Sequence, residues 1–251
     1  MEVFSISILL ISFLLLLSIG TPVAWSIIIS SLFTLFVSVP FLPALTTISQ
    51  RMATGIDSFA LLAIPFFILS GELMNSGGVA HRLVAFAKTL VGFLPGGLAL
   101  INIISAMLMG SVAGSAMASA SAMGSILGPE MEKEGYSRGF GVAINITSAT
   151  TGLVIPPSNI LIVYSLASGG ASIAALFLAG YIPGILTGLF LMIVAMLWAK
   201  KKNFKTGKRE PLKKVLNSFV RAFPSLMLLI VVIGGIVSGV FTATEASAIA
   251  V

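Results

Sequence analysis

The chain has 251 residues, of which 57% are hydrophobic and only 9% are charged, and its mean hydropathy is +1.12. Soluble domains carry about 25% charged residues, so this composition excludes a soluble protein and indicates an integral membrane protein, while the absence of cysteine excludes disulfides, thiolate metal sites and cysteine nucleophiles. The net charge of +6 does not indicate nucleic-acid binding, because the excess lies in one run, residues 200–214, of the kind that marks a cytoplasmic loop.

The chain opens with two apolar segments of membrane-spanning length. A helix that crosses ~30 Å of hydrocarbon needs about 20 residues, and residues 3–20 and 22–39 meet this need. Pro22 is well placed to open the second helix. The only early charge is Glu2 and no cleavage site is evident, so we interpret residues 3–20 as a retained span with a periplasmic N-terminus.

The next segment differs from these spans in its polar content. Residues 40–57 contain two prolines, an arginine and an aspartate, which favours an interfacial position. Residues 58–75 predict a third span with a kink at Pro65. Three crossings from outside place Arg82 and Lys88, which follow on a short amphipathic stretch, in the cytoplasm.

Residues 96–129 form an uncharged stretch of unusual length. Its 34 residues would make a straight helix of about 50 Å, too long for one crossing, yet two full spans need about 40 residues and a turn. Basic residues flank both ends, so both ends belong on the cytoplasmic side. The sequence therefore predicts a re-entrant helical hairpin, with its tip at residues 110–115.

The residues of this tip are almost all Gly, Ala, Ser or Met. Backbone groups that are unpaired at membrane depth must be buried in protein or line a wet cavity, and small residues let a ligand approach them closely. The alternative is one small-residue helix that packs through Gly110 and Gly114, which have GxxxG spacing.

The uncharged stretch 140–199 is long enough for two spans, and the first of them is interrupted. Pro156 and Pro157 remove two helical donors, and the residue before a proline is disfavoured in helical angles. We therefore predict two half-helices with an unwound centre at residues 150–157. The alternative is an ordinary proline kink.

A re-entrant tip beside a broken helix is the pattern of a midplane ion and substrate site in secondary transporters. Unwound carbonyl groups and hydroxyls suit a hard cation such as sodium, and half-helix N-termini favour an anion. The fold class that follows is an all-α polytopic membrane protein.

Five stretches in order carry a resemblance to a known family. They read IPFFILSGELMNSGG (64–78), VGFLPGGLALINI (91–103), GSVAGSAMASASAMGSILGPEMEKEGYSRGFG (110–141), GLVIPPSNILIVYS (152–165) and FTATEASAIAV (241–251). Together they resemble the large membrane subunit of TRAP transporters, the tripartite ATP-independent periplasmic carriers. The resemblance covers essentially the whole chain.

The resemblance implies an elevator-type carrier that imports an organic anion, such as a C4-dicarboxylate or a sialic acid, with sodium as the coupling ion and no other cofactor. It also implies a location in the bacterial inner membrane. Two partners follow from it, a small four-helix membrane subunit and a periplasmic substrate-binding protein. We expect sodium ligands among Gly110, Ser111, Gly114, Ser115, Gly152, Val154 and Pro156. We expect substrate contacts among Ser115, Asn145, Thr150, Thr151, Pro157, Ser158 and Asn159.

The family protein is longer and has an inverted second half with its own hairpin. Here the chain ends within what resembles the first helix of that second half, because the start and the end of the chain each combine an apolar span, a threonine and a fresh helix. The predicted organisation comprises scaffold helices and an amphipathic arm (1–95), the re-entrant hairpin (96–129), the broken helix and the next span (139–199), a basic cytoplasmic loop (200–221) and the start of a second inverted repeat (222–251).

Three other functions remain as alternatives. The first is a sodium-coupled anion carrier that works without a binding protein. The second is a membrane scaffold subunit that does not transport. An intramembrane enzyme would need a nucleophile–base pair or a metal cluster, for which one histidine, no cysteine and few acids are poor material. We therefore expect no enzymatic activity.

Overall fold

A computed structural model describes residues 2–202, 204, 206–207 and 209–251, and these residues form helices joined by short connections, without a β-strand. The helices are α1 (Glu2–Ser18), α2 (Val23–Ser38), α3 (Phe41–Ile56), α4 (Ala63–Ser76), α5 (Val79–Val91), α6 (Gly97–Ala113), α7 (Ala116–Lys133), α8 (Arg138–Ala149), α9 (Thr151–Val154), α10 (Asn159–Ala167), α11 (Ile173–Lys201), α12 (Leu212–Val237) and α13 (Ala243–Ala250). The expected all-α class is confirmed.

Several helices are long and apolar enough to cross a membrane. Within the described residues they are Phe59–Ser76, Ile173–Lys201 and Leu212–Val237. A fourth crossing is available if the bent pair Arg138–Val154 and Asn159–Ala167 counts as one span. The chain is thus a multi-pass membrane protein, as its composition predicts.

The chain divides into two compact units, Met1–Ser58 and Phe59–Val251. In the first unit α1 and α2 pack side by side, and the segment predicted to be interfacial is the helix α3. The helices α1 and α2 have 17 and 16 residues and so measure about 25 Å each, slightly less than the hydrocarbon core.

The second unit begins with a 3₁₀ turn, Phe59–Leu62, that leads into α4. Pro65 lies in the first turn of α4, where an N–H group has no intrahelical partner, so the proline opens the helix after the 3₁₀ turn. In place of the predicted kink at Pro65, the helix changes from 3₁₀ to α geometry just before this residue. The sequence-based division assigns residues 1–95 to a scaffold. In the structure α4 and α5 pack against the hairpin helices α6 and α7. The assignment of helices to a scaffold and to a moving part stays a prediction.

The basic loop is shorter than the predicted range 200–221, because α11 continues to Lys201 and α12 begins at Leu212. The first turns of α12 are helical because their apolar face packs on α5. The rings of Phe86 and Phe219 lie 5.6 Å apart. The hydroxyls of Thr89 and Ser218 lie 3.1 Å apart.

The connection between α12 and α13 resembles the connection between α1 and α2. Each first helix is followed after two residues by a glycine with positive φ, Gly20 at 87° and Gly239 at 75°, and then by a new helix. Thr242 and Glu245 form a capping box at the start of α13. This parallel supports the second repeat, which stays a prediction.

Candidate functional site

The chain turns sharply at Gly114 and Ser115, at the end of the predicted tip. Gly114 follows α6 with φ of 60°, a left-handed conformation that glycine adopts at little cost. Ser115 is the N-cap of α7, and its Oγ accepts from the N–H of Ala118 at 3.4 Å. Two consecutive residues therefore end one helix and begin the next.

Helix α7 folds back along α6. The hydroxyl of Ser119 donates to the carbonyl oxygen of Ala106 at 3.1 Å. Met109, Met123 and Leu127 lie in one buried cluster with residues of α5. The alternative of a single uninterrupted helix is wrong, while entry of the hairpin into the membrane from the cytoplasm stays a prediction.

The hairpin extends beyond its predicted end at Pro129, since α7 continues to Lys133. Pro129 removes only one helical donor, and it lies in the exposed part of the helix, where water can satisfy the freed carbonyl group. The hairpin helices thus span residues 97–133.

The broken helix is interrupted over fewer residues than predicted. Residues 151–154 are helical in α9, and only residues 155–158 separate it from α10, with a bend of 50°. The expectation of an unwound centre at 150–157 was too wide on its N-terminal side, because the missing N–H groups are those of Pro156 and Pro157 and the residue restricted before them is Ile155. The N–H of Ile155, the last before Pro156, still donates to the carbonyl oxygen of Thr151 at 2.9 Å.

The hairpin and the broken helix cross at two glycines. A Cβ atom placed on Gly110 would lie 2.2 Å from the Cα of Gly152, and one placed on Gly152 would lie 2.6 Å from the Cα of Gly110. Both residues were expected at the sodium site. Their shared role in this structure is to let the backbones of α6 and α9 touch.

Just C-terminal to this crossing in both segments, the hairpin turn contacts the break in the second helix. The N–H of Asn159 donates to the carbonyl oxygen of Gly114 at 3.4 Å. A Cβ atom on Gly114 would lie 3.0 Å from the carbonyl oxygen of Pro157 and 3.6 Å from Oδ1 of Asn159. The structure therefore brings Gly114, from the expected sodium set, to Pro157 and Asn159, from the expected substrate set.

The side-chain oxygen of Asn159 is buried and has no hydrogen-bond partner. An unpaired buried acceptor is costly unless a ligand or water satisfies it. The neighbouring donor set consists of amide and carbonyl oxygens, which are the ligands that hard cations prefer. The chemistry of these atoms suits a hard cation such as sodium.

The predicted hydroxyl residues mostly donate within their own helices. The hydroxyls of Ser111, Thr150 and Thr151 donate to the carbonyl oxygens of Leu108, Thr147 and Ser148, at 2.8, 2.7 and 2.6 Å respectively. Ser158 is the N-cap of α10, and its hydroxyl donates to the carbonyl oxygen of Leu153. Among the predicted hydroxyl residues, Ser115 caps the helix that follows the hairpin turn, and Ser158 caps the helix that follows the break.

Asn145 lies away from the turn and joins two helices. Its Nδ2 donates to the carbonyl oxygen of Ala120 at 2.8 Å, and a Cβ atom on Gly124 would come within 2.8 Å of the same nitrogen. The residue therefore fixes α8 against α7, and its substrate contact remains a prediction.

Sequence reasoning missed the glycines of α11. Gly180, Gly184 and Gly188 recur every four residues and are all buried. Cβ atoms on them would lie 2.3 Å from the carbonyl oxygen of Val154, 2.4 Å from Cγ1 of Ile155 and 2.3 Å from Sδ of Met107. The spacing itself was the available signal, since small residues at i and i+4 mark close helix packing in membranes.

The charged residues near the hairpin lie at its base. A cavity of about 500 Å³ there is lined by Lys88, Glu130 and Tyr136, among others, and Nζ of Lys88 lies 3.9 Å from Oε2 of Glu130. Burial, and to a lesser degree the Glu134 carboxylate, raises the pKa of Tyr136. This cavity lies at the other end of the hairpin from Gly114.

Comparison with known proteins relates the chain to one family. The family model described as "Tripartite ATP-independent periplasmic transporter, DctM component" matches residues 10–251. The uncharacterized protein YgiK of Salmonella typhimurium is 54% identical over 249 residues, which are 99% of this chain and 57% of YgiK.

Two similar proteins carry functional names. The C4-dicarboxylate TRAP transporter large permease protein DctM of Pseudomonas aeruginosa is 39% identical over 77% of this chain and 45% of its own length. The sialic acid TRAP transporter large permease protein SiaM of Vibrio cholerae is 38% identical over 93% of this chain and 54% of its own length. The chain thus spans about half the length of these relatives. A match over nearly every residue shows that the chain belongs to the DctM family of TRAP transporter components, which are transport proteins and not enzymes.

Proposed function

We propose that this chain supplies the first, ion-binding half of the membrane subunit of a sodium-coupled importer of an organic anion. The single observation that carries the proposal is the meeting of Gly114 with Pro157 and Asn159, beside a buried side-chain oxygen that has no partner. Two helices end and two helices begin within this small region.

The ends of α6 and α9 supply the cation half of the proposal. Their last carbonyl groups have no intrahelical donors and carry the negative end of the helix dipole. We assign sodium to Oδ1 of Asn159 and to carbonyl oxygens that face the turn, such as that of Pro157, whereas the carbonyl oxygen of Val154 faces α11. Gly114 is required there because a side chain would fill the space between the turn and Pro157.

The beginnings of α7 and α10 supply the anion half. Their first N–H groups carry the positive end of the helix dipole, which favours a carboxylate. No arginine or lysine lies between residues 139 and 199, so a carboxylate on this half would be bound by N–H, hydroxyl and amide groups. The relatives named for C4-dicarboxylates and sialic acid support an acidic solute.

The membrane potential would supply the driving force. A sodium ion that crosses inward gains about 2.3 kcal/mol per 100 mV. The proposal includes a bacterial inner-membrane location with a periplasmic N-terminus, a small membrane subunit and a periplasmic binding protein. The complete transporter would consist of this chain with the second half of the permease and these two partners.

The test is uptake into proteoliposomes that contain the complete transporter. Labelled succinate and N-acetylneuraminate serve as probes, with sodium chloride or choline chloride outside. We expect uptake of an anionic probe that needs both sodium and the binding protein. Equal uptake in choline would contradict sodium coupling, and sodium-driven uptake without the binding protein would favour the carrier that works alone.

A further inference from the structure

Gly180 differs from the other two glycines of the α11 row in the kind of atom it faces. A Cβ atom on Gly180 would meet a backbone atom, the carbonyl oxygen of Val154, at 2.3 Å. Gly184 and Gly188 face the side chains of Ile155 and Met107. A side chain can rotate away from a new methyl group, whereas a carbonyl oxygen moves only with its whole peptide unit.

Val154 is the last residue of α9, so its carbonyl group lies where the helix stops. In an unbroken helix this oxygen would accept from the N–H of residue 158, but residue 158 is the N-cap of α10. The oxygen instead faces Gly180, so closely that a Cβ atom there would lie 2.3 Å from it. The approach of α11 therefore fixes the peptide that leads into the break.

The peptide after Val154 sets the course of the four residues that reach the hairpin turn. Ile155 is extended, with ψ of 122°, and Pro157 and Asn159 then contact Gly114. An ordinary contact between a methyl group and an oxygen is more than 3 Å, so a methyl group on Gly180 must displace α9 by about 1 Å. Ligand sites need their atoms held within about 0.5 Å.

We propose that Gly180 is a positioning residue for the sodium site: its lack of a side chain holds the peptide after Val154 in the orientation that aligns the break with Gly114. This inference rests on the proposed function. It assigns to α11, which contributes no predicted ligand, control over sodium affinity.

The experiment compares Gly180→Ala with Gly188→Ala in the complete transporter. Both substitutions add one methyl group to the same helix face, but only the first meets backbone. The sodium concentration for half-maximal thermal stabilisation is measured at constant ionic strength with choline as the balancing cation. We expect it to rise about fivefold or more in Gly180→Ala, which corresponds to roughly 1 kcal/mol of binding free energy, and to stay within about twofold in Gly188→Ala.

A second pair covers the case in which Gly180→Ala does not fold. Gly184→Ala presses on Cγ1 of Ile155, a β-branched side chain that rotates less freely than Met107, so it should raise the half-maximal sodium concentration by a smaller factor than Gly180→Ala. Combining it with Ile155→Ala removes the contacted atom and should restore the value of the Ile155→Ala single variant. Failure of this rescue would overturn the inference.

The possible results separate the inference from the proposed function. If the wild-type protein shows no stabilisation by sodium, both fail. If the wild type responds to sodium but Gly180→Ala and Gly188→Ala give equal half-maximal concentrations, only the inference fails. A change in protein abundance with an unchanged half-maximal concentration would identify Gly180 as a purely structural residue and would also overturn it.

Discussion

Gly110 and Gly152 are in backbone contact, so that a Cβ atom on either would lie within 2.6 Å of the Cα of the other. The contact joins the hairpin to the broken helix three residues before the end of α6 and two residues before the end of α9. It sets the separation of the two backbones at the candidate sodium site.

We predict that Gly110→Ala destabilises the protein by about 1–3 kcal/mol, the usual cost of forcing a methyl group into a packed interior. Thermal unfolding of the purified protein in detergent measures the change. Gly128→Ala is the matched control, because nothing lies within 4 Å of a Cβ atom there and alanine favours the helix α7. Equal melting temperatures for the two variants would mean that α6 and α9 do not touch.

Asn159→Ala should weaken sodium binding about tenfold, because it removes the buried oxygen that has no partner within the protein. The half-maximal sodium concentration in thermal stabilisation measures the effect. Asn102→Ala serves as the control: Oδ1 of Asn102 is also buried without a partner, but Asn102 lies twelve residues before Gly114 on the same helix. The account would fail if both variants shifted the sodium response equally.

Asn145→Ala should lower stability by about 1 kcal/mol, because it removes the hydrogen bond from Nδ2 to the carbonyl oxygen of Ala120 that joins α8 to α7. We expect the sodium response to be preserved, since Asn145 joins α8 to the middle of α7 rather than to its end. Thermal unfolding with and without sodium measures both effects. A loss of substrate uptake at unchanged stability would instead support the sequence-based assignment of Asn145 to the substrate.

Ionisation of Tyr136 should lower the free energy of unfolding of the protein at alkaline pH. Its pKa is raised above the ordinary value of 10.0, chiefly by burial, so the folded state holds the phenol proton more tightly than the unfolded state. The resulting stability is fully present below about pH 10 and is lost as the pH rises through the folded-state pKa. Tyr136→Phe has no such proton, so its melting temperature should decline less than that of the wild type above about pH 10. Parallel curves would show that Tyr136 ionises equally in both states.

The sequence predicted the hairpin from length and charge together. A stretch too long for one crossing and too short for two, with basic residues at both ends, left a turn near residues 110–115. It did not locate the turn, because the stretch contains two Gly-Ser pairs, Gly110-Ser111 and Gly114-Ser115, and either pair could end one helix and begin the next. The structure selects Gly114, where φ is positive, followed by the N-cap Ser115.

The break was predicted from Pro156 and Pro157 but was drawn too far toward the N-terminus. Thr150, Thr151 and Gly152 suggested unwinding by composition, yet the N–H groups missing at the break are those of Pro156 and Pro157 themselves, and the residue restricted before them is Ile155. The four-residue spacing of the α11 glycines indicates close helix packing but does not identify the packing partner. Gly180 faces Val154 across 26 residues of sequence, a pairing that no local pattern encodes.

The central claim is that the chain turns back at Gly114 and leaves the membrane on the side it entered. Single cysteines at Arg82 and at Glu134, in a chain that has none, can be labelled with a membrane-impermeant maleimide in intact and in permeabilised cells. The account predicts that both positions react only after permeabilisation, while the cysteine-free chain does not react. Labelling of one position in intact cells and of the other only after permeabilisation would place the two ends on opposite faces and contradict the account.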